Sequence, residues 1–199
     1  MLDKSLPYIS ICMRRDQGTP PPDFSLPPGF RFVYYTPGDE KDWARIETSV
    51  LEFDCELDAL LYFQAEFLTY RSEVPIRCLF VETDAGEKIA TASAWWGYTG
   101  VRRDPMLHWV AVKPAYQGLG IGKAIIAQII RRMLEIEGDR TFYLHTQTWS
   151  HKAVRLYERA GFYITDEANI QGYANDRCEE AIAVLKQTAK NAKSAKKPV

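Results

Sequence analysis

The chain has 199 residues, 46% apolar and 26% charged, with a formal net charge of −1. That is long enough for one well-buried domain and short for two. Four scattered cysteines without C-x-x-C spacing (Cys12, Cys55, Cys78, Cys178) and three histidines, none paired at ligand spacing, argue against a structural metal and a disulfide framework; no run approaches the ~20 apolar residues of a membrane helix, so a reduced, cytoplasmic setting without membrane partners is expected.

Tyr8 to Arg14 alternates as a strand, and Pro20, Pro21, Pro22, Pro27 and Pro28 make 17–29 an extended connection. Phe30 to Tyr35 reads as a second strand, stopped at Pro37-Gly38. Asp39 is placed to cap a helix through Trp43 and Ile46 to about Leu51. A second helical pattern runs from Asp54 through Leu57, Leu60, Leu61, Phe63 and Phe67 to Tyr70. Cys78 to Glu82 and Ile89 to Tyr98 form an antiparallel pair across Asp84-Ala85-Gly86, with Trp95 and Trp96 on opposite faces. A strand from Leu107 to Val112, a helix to Glu137 stopped by Gly138, a strand from Thr141 and a helix behind Ser150 follow. Asp176 to Lys190 reads as a last helix. Five lysines and no acids occur from Lys186 onward, so 186–199 is a basic tail expected to be disordered. No aromatic residues interleave those lysines, and no nucleic-acid role is expected. Residues 1–185 form a single domain, of which 1–29 are an added strand and connection.

Two stretches carry chemistry. In Val110-Ala-Val-Lys-Pro-Ala-Tyr-Gln-Gly-Leu-Gly-Ile-Gly-Lys123 a strand ends, turns, and enters a helix through three alternate glycines. Bare N–H groups at a helix N-terminus suit a phosphate or pyrophosphate. The mononucleotide P-loop fails here, because three residues separate Gly118 from Gly122 and Ala124 follows Lys123. The dinucleotide G-x-G-x-x-G fails as well. Downstream, Ser150 reads as an N-cap with Trp149 and Val154 as a hydrophobic staple. Ala153, Val154, Tyr157 and Ala160 line one helix face, and Gly161 supplies a left-handed C-terminal cap.

The first motif, Gln117-Gly118-Leu119-Gly120-Ile121-Gly122, resembles the Gln/Arg-x-x-Gly-x-Gly/Ala loop of the GCN5-related N-acetyltransferases (the GNAT superfamily). The second resembles that family's Asn-x-x-Ala-x-x-Leu-Tyr-x-x-x-Gly-Phe signature at Ala153, Leu156, Tyr157, Gly161 and Phe162. The match is specific over 105–163, looser over 77–98, and slight before residue 77. The resemblance implies an α/β (α+β) fold: a mixed, mostly antiparallel sheet with helices on both faces, splayed at an acyl-CoA site. It also implies an acetyl-CoA-dependent N-acetyltransferase acting by direct attack in a ternary complex. Val110, Ala111, Val112, Gln117, Gly118, Leu119, Gly120, Ile121, Gly122, Lys123 and Ser150 would hold acetyl-CoA, with the Val110 N–H aimed at the thioester oxygen and no metal involved. Ser150 stands where the family more often has Asn. Tyr157 would be the general acid.

His108 is the candidate base, placed two residues before Val110 and hence on the same strand face, with a suitable ordinary pKa. His145 and His151 read as surface residues. Glu47, Glu52, Asp54, Glu56 and Asp58, among Phe53, Tyr62 and Phe63, would suit a cationic amine with some apolar body. A small-molecule amine and a peptide N-terminus both remain open as acceptors, as does a homodimer. The competing class is a non-catalytic CoA-binding regulatory or interaction module of the same fold.

Overall fold

The structure, a computed structural model, describes residues 2–167, 170–173 and 175–194. Its strands are β1 (Ser10–Arg15), β2 (Phe30–Tyr34), β3 (Cys78–Thr83), β4 (Lys88–Thr99), β5 (Arg102–Val112), β6 (Phe142–Gln147) and β7 (Tyr163–Ile164). They form one sheet in the order β2-β3-β4-β5-β6-β1-β7. All neighbours are antiparallel except β5 and β6, which are parallel. The helices are α1 (Glu40–Ser49), α2 (Glu56–Glu66), α3 (Val74–Arg77), α4 (Ile121–Glu137), α5 (His151–Arg159) and α6 (Cys178–Ser194). Among the described residues no helix is long and apolar enough to cross a membrane.

Alternation along the strands divides the core between the two faces. Leu79, Val81, Ala92, Ala94 and Leu107 pack with Ile125, Ile126, Ile129, Ile130 and Met133 of α4 and with Val154 and Tyr157 of α5. The other face carries Cys78, Phe80, Trp95 and Ala111 against Trp43, Ile46, Phe63 and Phe67 of the α1–α2 region. The mixed, mostly antiparallel sheet covered on both faces is the expected fold. The N-terminal strand lies inside the sheet: β1 pairs with β6 from Ser10↔Gln147 to Arg15↔Phe142 and with β7 at Met13↔Ile164.

Several local expectations change. Asp39 is the N-cap residue of α1, its carbonyl accepting from the Trp43 N–H at 2.9 Å, but its side chain makes no capping bond: Oδ2 accepts from the Thr36 N–H at 2.9 Å, and Oδ1 pairs with Lys88 at 3.0 Å. In α2 the buried face is Ala59 and Phe63, so Leu57 and Leu61 point to solvent. The Trp95 and Trp96 rings are not on opposite faces: they stack 4.5 Å apart. The guanidinium groups of Arg103 and Arg77 lie 4.6 and 4.9 Å from the Trp96 ring and hold it there. The basic segment from Lys186 is helical as far as Ser194, because α6 continues past Lys190; the last five residues lie outside the described set.

Candidate functional site

The glycine loop joins β5 to α4. Gln117 folds back, its Nε2 donating to the Val112 carbonyl oxygen at 2.9 Å, which ties the loop to the strand end. Gly118 and Gly120 take φ +85° and +89°, a region that L side chains avoid, and Gly120 is the N-cap of α4. The first backbone bond into this helix comes from the Ala124 N–H to the Gly120 carbonyl at 3.2 Å. Among the described residues no hydrogen bond takes the N–H groups of Gly118 to Lys123. A row of free donors at the positive end of a 17-residue helix is a cradle for a phosphate group. Gly122 serves a second purpose. A Cβ there would lie 3.2 Å from Leu156 Cδ1 and 3.8 Å from Val112 Cγ2, so its missing side chain lets α4 approach α5 and the strand end.

β5 changes character just before the loop. Ser93 pairs with His108 and Thr91 with Ala111, so Trp109 and Val110 together oppose Ala92 alone. This is a β-bulge, and Trp109 adopts φ +49° within it. The extra residue breaks the period of two. Trp109 packs at 5.4 Å from Trp43 and 5.3 Å from Phe53, on the α1–α2 side, and His108 lies 6.4 Å from Phe67 on that side too. Val110 and Val112 pack on the α4 side. His108 therefore does not share a face with Val110, contrary to the expectation from spacing. Its Nδ1 is buried without a hydrogen-bond partner. Burial, and to a lesser degree His145, lower its pKa to about 4.

β5 and β6 meet only at Met106↔Tyr143 and then diverge. The splay opens into a cavity of about 380 Å³, in the range of small-molecule sites. Val110, Ala111, Val112, Gln117, Gly118, Gly120, Gly122, Lys123, Ser150 and Tyr157 line it. Three expected residues do not. Ile121 is fully buried in the core, Leu119 is exposed, and His108 is turned away by the bulge. Lys123, Lys152 and Arg159 bring positive charge to the cavity wall, and Glu52 brings a carboxylate.

Ser150 reaches the cavity but caps nothing with its hydroxyl, because a 3-10 turn, Thr148–Ser150, leads into α5. Trp149 is engaged by the N-terminal segment instead of serving as a staple: its Nε1 donates to the Leu6 carbonyl at 2.7 Å, and its ring meets Tyr8 edge-on at 4.9 Å. The Asp3 N–H donates to the Trp149 carbonyl at 2.9 Å, and these ties leave Leu2 on the cavity wall. Nothing in the sequence of residues 2–7 signals that placement. Lys152 and Leu156, by contrast, were legible, since Lys152, Leu156 and Arg159 recur at helical spacing beside the buried stripe of α5. The other two histidines are less exposed than expected. His145 stacks on Tyr173 at 3.6 Å and bonds Ser10 Oγ at 2.7 Å, and His151 is buried with Nε2 3.6 Å from Asp3.

Tyr157 lines the cavity and is 7% exposed. Burial first, then the charges of Glu52 and Glu47, push its phenol well above the usual value. The hydroxyl therefore stays protonated across the working pH range and is a proton donor in its resting state.

Comparison with known proteins follows this geometry. The model of the family described as Acetyltransferase (GNAT) family matches residues 41–162. The uncharacterized protein ML0378 of Mycobacterium leprae is 24% identical over 164 residues, 79% of this chain and 40% of that protein. N-alpha-acetyltransferase RimI of Mycobacterium tuberculosis is 33% identical over 73 residues, 33% of this chain and 44% of that protein. The matches thus span less than half the length of either curated relative. The crystal structure of a GCN5-related N-acetyltransferase from Sphaerobacter thermophilus superposes with a TM-score of 0.62 at 22% identity, covering 80% of this chain and 49% of that one. A GNAT-family acetyltransferase from Colwellia psychrerythraea gives 0.60 at 12% identity, over 80% and 54% of the two chains. At these identities the likeness is one of fold.

Proposed function

Because the chain belongs to the Acetyltransferase (GNAT) family, we propose that it transfers an acetyl group from acetyl-CoA to a primary amine by direct attack within a ternary complex. The observation that carries this reading is the single cavity in which a free-donor glycine loop, a broken strand edge and the Tyr157 phenol meet. The residues fit the co-substrate. Unpaired N–H groups of the loop and the cations Lys123, Lys152 and Arg159 suit a pyrophosphate, while the open side of β5 beyond Met106 offers backbone groups to an extended amide chain. Ser150 offers one further hydroxyl.

Acetyl-CoA supplies the activated thioester. The Val110 N–H, beside the bulge, is assigned to the thioester oxygen, where a fixed dipole stabilises the developing charge. Tyr157 is assigned as the acid that protonates the departing thiolate. No cysteine lines the cavity among the described residues, which favours direct transfer over an acyl-cysteine intermediate.

Two measurements test this. Thermal shift should rise with acetyl-CoA and not with ATP·Mg²⁺. A screen of primary amines and short peptides should release CoA with at least one acceptor. Binding without release for any acceptor would leave a CoA-binding module of the same fold. No binding would remove the reading altogether.

A further inference from the structure

The proline-rich connection between β1 and β2 is fixed along the outer side of α4, although residues 16–29 contain no helix or strand. The Gly18 N–H donates to both carboxylate oxygens of Asp139, just past the C-terminus of α4, at 3.0 and 3.1 Å. Midway, Arg131 Nη2 donates to the Pro22 carbonyl at 3.0 Å. At the other end, Lys123 Nζ lies 5.4 Å from the centroid of the Phe24 ring. The three ties run in opposite order along the two segments, so the connection is a strap antiparallel to the helix. Their lengths agree. From Lys123 to Asp139 the chain rises about 24 Å at helical pitch, and from Gly18 to Phe24 it spans about 20 Å when extended. Pro20, Pro21 and Pro22 hold it extended, since each fixes φ and none can donate a hydrogen bond to a turn.

This strap brings to the glycine loop a ring that the core does not use. Leu26 and Phe30 pack on the main core, and Phe30 meets Tyr116 edge-on at 6.1 Å. Phe24 is half-buried and joins none of the core clusters among the described residues. Its contact is with Lys123, which lines the cavity and rests its ammonium over the ring. Lys123 thus links the phosphate cradle to the ring. A pyrophosphate at the loop N–H groups is a stronger partner for an ammonium than a ring face is. Its arrival draws Lys123 inward and leaves the face of Phe24 open beside the cradle. An amide chain running into the splay along β5 leaves the nucleotide on the other side of its pyrophosphate, over the first turn of α4, where Phe24 stands. A purine is a flat π-system, and such bases stack on aromatic side chains.

We propose that Phe24 is the stacking platform for the adenine of acetyl-CoA, so that the donor is chosen through its nucleotide: free acetyl-CoA is taken in preference to the same acetyl thioester on phosphopantetheine alone. The inference rests on the acetyltransferase reading and deepens it. Phe24 lies outside the family match, which covers residues 41–162, so the platform is a feature of this chain's own N-terminal segment. It is a binding residue and takes no part in the transfer itself. Arg131, through the Pro22 carbonyl, acts as a positioning residue for the strap. The stiffness of the strap matters here, because a ring already held in place loses little freedom when the base arrives.

The experiment titrates the full chain with acetyl-CoA by calorimetry, and reads S-acetyl-4′-phosphopantetheine, which lacks the adenosine half, by displacement of acetyl-CoA. Phe24→Leu keeps the apolar bulk and removes the flat face. It should raise the acetyl-CoA Kd by roughly 5- to 150-fold, the scale of one lost base stack, and leave the Kd of the shortened donor nearly unchanged. Phe24→Tyr keeps the face and should bind acetyl-CoA like the wild type. Arg131→Ala frees the strap with the ring intact, and should weaken acetyl-CoA by a smaller factor while again sparing the shortened donor. The Tm of both Phe24 variants should stay near that of the wild type, since no core holds this ring. An equal loss for both donors would mean that Phe24 shapes the loop and does not hold the base, which overturns the platform. Phe24→Leu binding acetyl-CoA as tightly as the wild type, or Phe24→Tyr losing as much as Phe24→Leu, would overturn it too, and each would leave the acetyltransferase reading standing. A wild type that binds neither donor would remove that reading and the platform together.

Discussion

The Phe162 N–H donates to the Tyr157 carbonyl at 3.0 Å, and the two rings meet edge-on at 6.3 Å. With the Gly161 N–H donating to the Glu158 carbonyl at 3.1 Å, these bonds close α5 in a Schellman pattern, with glycine at φ +89° and an apolar closing pair. The turn fixes the last coil of α5, and with it the position of the Tyr157 ring on the cavity wall. Backbone geometry thereby anchors a side chain whose proposed work is at its far end.

Tyr157→Phe keeps that ring and both backbone bonds and removes only the hydroxyl. We expect turnover to fall by about 10²-fold or more, the scale of a lost general acid. The acetyl-CoA Kd should stay within a few-fold, and Tm should barely move. Steady-state kinetics beside calorimetry check this; unchanged kcat would remove Tyr157 as the proton donor.

Gly161→Ala tests the turn. The left-handed region costs an L-residue roughly 1–2 kcal/mol. A Cβ at this position would also stand 2.7 Å from Thr19 Cγ2 and 3.5 Å from Arg15 Nε. Arg15 is fully buried, with Nε donating to the Ala160 carbonyl at 3.1 Å and Nη2 to the Thr19 and Pro20 carbonyls at 2.7 and 2.9 Å. The substitution should therefore destabilise by more than the backbone term alone. Urea denaturation reads it directly, and a loss below about 1 kcal/mol would mean that the turn relaxes freely.

What the sequence made legible was whatever depends on short-range spacing. The glycine loop, the stripe of isoleucines in α4 and the Gly161 cap all follow from neighbours within one or two helical turns. The bulge at Trp109 did not, because an added residue in a strand leaves no mark on composition and reverses every parity argument beyond it. That is why His108 reads as Val110's neighbour in the sequence and lies on the other face in the fold. The turn that ends α1, with Leu51 at φ +71°, was hidden for a similar reason: propensity places glycine at such a left-handed position, and the chain uses leucine. Leu2 reaches the cavity because its neighbours Asp3 and Leu6 are tied to Trp149, about three quarters of the chain's length away.

Gly120→Ala should separate binding from stability less cleanly than an open loop would suggest. At φ +89° an alanine is strained by roughly 1–2 kcal/mol. Its Cβ would meet only Lys123 Cε, at 3.5 Å, and otherwise project beside the free N–H groups. We expect the acetyl-CoA Kd to rise by about tenfold or more, some 1.4 kcal/mol, measured at a temperature where the variant is fully folded. Equal affinity in the folded variant would place the phosphate groups elsewhere.

Glu47→Gln makes the last prediction, and its sign follows from proton linkage. Burial first, then the charge of Glu52, raises the Glu47 pKa well above the usual carboxylate value. In the window between the unfolded pKa, near 4.5, and the raised folded pKa, the native state binds the proton that the unfolded state has lost. Stability from this group is thus present below the window and falls as pH rises through it. Glutamine has no proton to lose, so the variant should gain on the wild type across the same window and hold a constant lead above it. An unpaired buried polar group costs about 1–3 kcal/mol, which sets the scale of that lead. Urea denaturation of both proteins at several pH values between 5 and 9 reads the difference. A gap that does not change with pH would mean that Glu47 ionises as freely in the fold as in the unfolded chain, and that its burial does not hold the proton on.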